Sequence, residues 1–287
     1  RLSSWPQSFK LCLMKRKGKR VSAKTRRTTL KIGPPLLRWM NLGAAVLLAG
    51  QAAAILFFSS PTAGLFPVTT DHLTADKLAA GNDAPLVQAT RHLFDVNLAV
   101  IVAVFLVVSS LAYLFIATLY RPRYEADIKN GLNRARWIHY AVSAILMLAA
   151  VASLVGVSDL SSLLMIVALA VIMCLSGLAM ELRNSAGRTP SWLNYWLGVG
   201  AGLVPWLVIV VYAWGSSLYG SGLPAYVYWL MGTIFAGFAA FAVNMMLGYK
   251  NFGRWGDYLY VERNYLMLSV AVKSALAWQV FAGALRG

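Results

Sequence analysis

Charge is scarce in this chain of 287 residues, and acidic charge is scarcest: Asp and Glu together number 10. Only 13% of residues are charged and 59% are hydrophobic, where soluble domains average about 25% and about 45–50%. Too few polar residues are available to cover a water-facing surface, which excludes an ordinary soluble enzyme and points to a polytopic membrane protein. Cysteine is nearly absent. Cys12 and Cys174 cannot make a disulfide framework, so both are expected to be free thiols. The basic N-terminal stretch has no short apolar core with a small-residue cleavage site, so no secretory signal is expected. Neither a catalytic constellation nor a metal centre is expected.

Apolar sequence is what the chain does contain. A spanning helix needs roughly 20 apolar residues, and seven segments qualify, at about 36–58, 96–119, 135–157, 160–182, 192–214, 223–248 and 262–285. The fold class expected is all-α, a seven-helix bundle over residues 36–287 behind a basic tail over 1–35. Lys and Arg then distribute unevenly. The stretch through Arg38 and the even-numbered loops with their flanking helix ends, Arg136 and Arg263 included, carry 22, the odd-numbered loops and the C-terminus carry three, and Lys273 lies deep inside a helix. By the positive-inside rule the N-terminus is cytoplasmic and the C-terminus extracellular, in a multi-pass protein of the plasma membrane. The tail is read as a disordered arm on anionic lipid; without a fold or an aromatic platform it gives no reason to expect a nucleic-acid partner. The long first loop, about 59–95, is expected to cap the outer face, with a short hairpin around 65–70.

Lys273 is the residue that needs explaining. It lies about ten residues from either end of the seventh segment, too deep for its side chain to reach water easily. A charged lysine at that depth costs at least about 2.5–3.5 kcal/mol. No Asp or Glu falls in the middle of any segment; Asp95 and Glu181 lie at segment ends and Asp159 in a tight outer loop. Two readings stay open. A desolvated lysine is a nucleophilic amine that forms a Schiff base with an aldehyde. Alternatively, it is a structural lysine, or one in the path of a transported solute or ion.

The seventh segment reads LSVAVKSALAWQVFAG around Lys273, the first opens with LRWMNL, the third with RWIHYAVSAILM, the fourth closes with GLAMELRN, and the fifth contains Pro205-Trp206. Together these resemble the heliorhodopsins, retinal proteins inserted with the opposite orientation to other microbial rhodopsins. The resemblance covers about 36–287. It implies all-trans retinal attached to Lys273, with Ser269 beside the Schiff base, a homodimer, and a sensory or regulatory role without ordinary ion pumping.

The chain departs from the family at the Schiff base. His139 stands where the family has its counterion glutamate, and Leu48 and Tyr113 stand where it has two histidines. A histidine is neutral or positive, never negative, so a buried cation beside it gives up its proton more readily. Two outcomes follow. Either the Schiff base is unprotonated near neutral pH and absorbs in the near ultraviolet, or a bound anion such as chloride replaces the carboxylate, with Ser143 and Ser269 as donors. Arg136 and Tyr113 complete the expected Schiff-base surroundings. Without the resemblance, His139 reads as a helix-end histidine facing headgroups. Trp137, Met147, Pro205, Trp206, Phe235 and Phe238 are candidate walls of an apolar retinal slot. Pro205 is expected to kink the fifth helix, and Gly198, Gly200 and Gly202 to permit close helix approach. Trp192, Tyr195, Trp196, Tyr226, Tyr228 and Trp229 are expected to be interface anchors. Glu181 and Asn184 are read first as a helix-end polar cap, and by resemblance as a switch or dimer contact. The function expected is a light sensor with an unknown cytoplasmic partner. The alternative is a transporter, light-driven or passive, with Lys273 in its path.

Overall fold

A computed structural model describes residues 33–60, 63–75, 85–184 and 190–285. The tail over 1–32, Cys12 and the centre of the first loop lie outside the described residues. Among the described residues the helices are α1 (Pro34–Phe58), α2 (Leu98–Ala117), a short α3 (Arg121–Lys129), α4 (Arg134–Leu154), α5 (Leu160–Asn184), α6 (Leu193–Tyr219), α7 (Ala225–Tyr249) and α8 (Tyr258–Val280). All but α3 are long and apolar enough to cross a membrane, which gives the expected seven spans.

Each helix starts where local chemistry directs it. α1 opens on Pro34 and Pro35, whose fixed φ suits a first helical turn and whose missing N–H would be unpaired there anyway. The bundle therefore begins two residues before the expected 36. The side chain of Asn97 accepts from the Ala99 and Val100 amides to cap α2, Asn133 accepts from the Arg136 amide to cap α4, and Asp257 accepts from the Leu259 amide to cap α8. Such caps satisfy amides that have no partner inside the helix. The Asp257 cap also explains why α8 starts four residues before the expected 262. The polar run through Glu262 belongs to a helix that turns it toward the protein, and Glu262 is 4% exposed.

The first loop holds a longer hairpin than expected. β1 (Leu65–Ala75) pairs antiparallel with β2 (Leu86–Asn97), Leu65 opposite Asn97 and Ala75 opposite Leu86, with a bulge between Val68 and Thr69. The bulge lies where the hairpin is tied down: the Thr69 amide donates to the Ser158 carbonyl over 2.9 Å. The Ser60 amide donates to the Leu285 carbonyl over 3.1 Å, so α1 and the last helix end on the same face. We call this the C-terminal face, and the opposite one, where α1, α4, α6 and α8 begin, the N-terminal face.

The large side chains on the outside are apolar, among them Val46, Phe57, Leu111, Leu164, Trp214 and Trp229. The polar side chains Arg136, His139, Glu181, Glu262 and Lys273 are buried. That inversion is stable only in lipid, where the outward faces need no water and the inward polar groups must find one another. Inside, α4 lies between α2 and α5, and α8 packs against α1 and α7. The two helices that matter most for the site, α4 and α8, are joined by the Tyr140 hydroxyl donating to the Tyr265 carbonyl over 2.8 Å.

Candidate functional site

Lys273 sits near the middle of α8 and is 3% exposed. Its Nζ is 2.7 Å from Ser269 Oγ, one turn earlier on the same face, and 3.0 Å from His139 Nε2 on α4. The rings of Tyr140 and Tyr113 lie 5.2 Å and 5.7 Å from Nζ, within the distance at which an aromatic face attracts a cation. Among the described residues no carboxylate pairs with Lys273; the ion pairs all lie elsewhere. His139 is buried at 4% exposed, which overturns its reading as a headgroup-facing residue. Trp137, Tyr140 and the α2 residues Ser109 and Tyr113 place α4 against the bundle interior, so a residue near its start is screened from lipid.

A cavity of about 310 Å³ opens beside this amine, at the lower end of the ~300–1,000 Å³ usual for small-molecule sites. Lys273, Ser269 and Ser143 form part of its wall, and Trp137, Met147, Trp206, Phe235 and Phe238 line its apolar part. Ser143 spends its hydroxyl on the Tyr140 carbonyl, 3.3 Å away, rather than on Lys273. Pro205 is a correction. It is buried in α6 but does not line the cavity, whereas Gly202, Leu203 and Trp206 do. The lining positions 195, 198, 199, 202, 203 and 206 recur every three to four residues along one face of α6, and position 205 falls outside that face. Tyr195 is a second correction: it is buried and lines the cavity, its hydroxyl donating to the Ala242 carbonyl over 3.3 Å, rather than anchoring an interface. Tyr140, Cys174 and Asn194 also line the cavity and were not foreseen. Nothing in the local sequence marks them; only the meeting of α4, α5 and α6 does.

Two close approaches shape this space. A Cβ on Gly177 would collide with the Trp137 ring, so only glycine lets the indole approach α5 this closely. Gly198 and Gly202 bring α6 onto α5, with Ser176 and Met173 at 3.1 Å and 2.7 Å from where their Cβ atoms would be; Gly200 faces open space.

Arg136 is the largest correction. It does not face Lys273. Its guanidinium pairs with both Glu181 on α5 and Glu262 on α8 and lies 4.0 Å above the Tyr265 ring. Asn133 donates its amide to Glu181 over 3.0 Å and its side-chain nitrogen to Glu262 over 2.7 Å. The hydroxyls of Tyr124 and Tyr258 reach Glu262 and Glu181, each over 3.4 Å. Burial pushes the Tyr124 phenol above its ordinary range, against the pull of Arg136, which keeps it a donor. Glu181 is therefore a buried ion-pair partner and not a helix cap. Asn184 takes the local role, accepting from the Ser191 amide over 3.2 Å. The available signal was Arg136 itself, since an arginine inside a span has to find a carboxylate at its own depth.

Seven spans with a buried lysine opening onto an apolar cavity define the rhodopsin architecture, in which a lysine on the last helix carries retinal. The residues fit that group: the amine is reachable from the cavity, and the walls suit a polyene. A family model described as Heliorhodopsin matches residues 37–285. The chain belongs to the heliorhodopsin family, whose members are retinal-binding, photoreceptor-like proteins of multi-pass membrane topology. No curated protein matches the chain.

Proposed function

We propose that this chain is a light sensor holding all-trans retinal on Lys273 Nζ as a Schiff base, and that it signals through its N-terminal face rather than pumping ions. The observation that carries the reading is Lys273, buried with no carboxylate partner among the described residues and opening onto the apolar cavity. When bound, retinal supplies a chromophore that absorbs light and changes shape. The residues of the chain do the rest. Trp137, Trp206 and Phe238 grip it along the slot, and Ser269 and His139 compete to accept the hydrogen that Nζ carries.

The buried acids Glu181 and Glu262 meet Arg136 on the N-terminal side of the site, Glu125 and the buried Asp127 lie on α3, and the other acids among the described residues, Asp71, Asp95, Asp159 and Asp257, lie in the hairpin or at helix starts. A pump needs proton-carrying groups on both sides of the amine, and that asymmetry favours sensing. Among the described residues, Arg38, Arg121, Arg123, Lys129, Arg134, Arg183, Lys250, Arg254 and Arg263 lie toward the N-terminal face, against Arg91 toward the other. The positive-inside rule supports a cytoplasmic N-terminal face in a plasma membrane. The apolar outward faces of α5 and α6 suit lipid or a second copy of the chain, so a homodimer belongs to the same proposal, as does a cytoplasmic partner at the basic face.

Direct contact between Nζ and His139 Nε2 favours the histidine itself, and not a chloride, as the group in the counterion's place, because an anion would have to enter between two atoms already in contact. The test is reconstitution of the retinal-free protein with all-trans retinal, followed across the near ultraviolet and visible, with borohydride trapping. A trapped adduct that disappears in Lys273→Arg is expected. Retinal-independent transport of a solute, or an adduct that survives Lys273→Arg, would overturn the reading. Spectra that change with halide concentration would restore the bound anion.

A further inference from the structure

We propose that His139 is a two-sided proton relay that links the Lys273 nitrogen to Glu262 through a single water. The inference rests on the reading of Lys273 as the retinal site and goes beyond it by naming where a proton leaving that nitrogen goes.

Three observations meet here. His139 Nε2 lies 3.0 Å from Nζ, and a protonated Nζ can only donate, which makes Nε2 its acceptor. A neutral imidazole that accepts at one nitrogen carries its proton on the other, so Nδ1 is a donor. That Nδ1 is buried and has no hydrogen-bond partner. Beside it lies a second, small cavity of about 10 Å³, bordered by His139, Tyr113, Asn41, Asn133, Arg136 and Glu262. A space of this size is just large enough to admit one water, and a buried water needs two to four polar partners. His139 Nδ1, the Tyr113 hydroxyl, which is also buried and unpaired, and the Glu262 carboxylate supply them. The cavity thus borders both the unmatched imidazole donor and the carboxylate that the donor lacks.

The transfer balances. At a pH low enough for Nζ to carry a proton beside an uncharged imidazole, the proton on Nζ moves to Nε2. The proton on Nδ1 moves to the water, which passes one of its own to a carboxylate oxygen of Glu262. Nζ loses one positive charge, Glu262 loses one negative charge, and His139 ends as its other neutral tautomer. The other titratable groups around the path are Tyr113 on α2, Tyr124 on α3, Arg136 and Tyr140 on α4, Tyr265 on α8, and Cys174 and Glu181 on α5. The Tyr113 and Tyr140 rings flank Nζ, and the Tyr140 hydroxyl is committed to the Tyr265 carbonyl. Glu181 does not border the small cavity, whereas Glu262 does. Glu262 is therefore the acceptor the path reaches. Its protonation converts a cluster of one cation and two anions into a matched Arg136–Glu181 pair and loosens the tie between α4 and α8. That is how an event at Lys273 reaches the basic face.

The first test needs no retinal. Nitrogen-15 NMR of histidine-labelled, retinal-free protein should show His139 protonated on Nδ1, with its resonance moving in Glu262→Gln. A ring protonated on Nε2, or one indifferent to Glu262→Gln, overturns the relay. The second uses the pigment. Infrared difference spectra on illumination should show the C=O stretch of a newly protonated carboxyl, lost in Glu262→Gln and in His139→Asn but kept in Glu181→Gln. Persistence of that band in Glu262→Gln also overturns the relay. Failure to form any retinal adduct sinks the reading of the site instead, so the two failures are distinguishable. If His139→Asn does not fold, the wild-type and Glu262→Gln spectra decide alone.

Discussion

Arg136 and Lys273 are both buried to 3% exposure, on helices that touch, yet their surroundings are opposite. Arg136 meets two carboxylates, an aromatic face and a shell of donors that hold those carboxylates in place. Lys273 meets a serine, an imidazole and two aromatic rings. Depth does not explain the contrast, because His139 is one turn from Arg136 on the same helix, about 5 Å along the axis. Chemistry does. An arginine cannot shed its proton, so a buried one is tolerable only when paired. A lysine nitrogen can lose its proton or become another functional group, so its site can be left without an anion. The bundle concentrates its carboxylates where charge is permanent and withholds them where it is changeable.

Breaking the paired side should have the largest effect. Arg136→Gln leaves Glu181 and Glu262 facing each other, and thermal unfolding in micelles should report a loss of about 3–5 kcal/mol. Adding Glu262→Gln should recover part of it. An Arg136→Gln protein as stable as the parent would erase the contrast. Supplying the unpaired side with an anion comes next. His139→Glu stabilises a cation on Nζ, so the visible band should persist to higher pH, its fading midpoint rising by about 1–3 pH units, or about 1.4–4 kcal/mol. The sign follows because a neighbouring anion holds the proton against base; a midpoint that stays or falls would mean that His139 does not occupy the counterion's place. Gly177→Ala probes the wall between the two sites. It forces Trp137 from α5 and should cost about 1–3 kcal/mol while altering retinal uptake; unchanged uptake would show that Trp137 is not a wall. Tyr124→Phe removes one long hydrogen bond to Glu262 and should cost only about 0.5–1.5 kcal/mol. A larger loss would mean that the phenol, and not the arginine, organises the cluster.

Much of the architecture was legible because lipid simplifies the code. Each span had to be a run of apolar residues of fixed length, and the observed helices fall within a few residues of the expected runs. Lys273 stood out for the same reason, as a cost without a local remedy. Errors fell where residues act through direction rather than type. Pro205 and Trp206 are adjacent, but only Trp206 faces the cavity. Tyr195 and Trp196 looked alike as interface aromatics, yet Tyr195 is buried and Trp196 exposed. Glu262 was placed at a helix end because a polar run truncates an apolar window, although the helix continues through it.

Taken alone, the order of amino acids determined the membrane class, the seven spans, the lysine and its histidine neighbour by resemblance, since these depend on composition, periodicity and motif. Which carboxylates belong to Arg136, that His139 Nε2 and not an acid touches Nζ, and that a water-sized space joins the two were decided by the packing of α4, α5 and α8. Those pairings join residues as far as 134 positions apart. The chain brings them within hydrogen-bond range only through helix rotation and close approach, which no local pattern encodes.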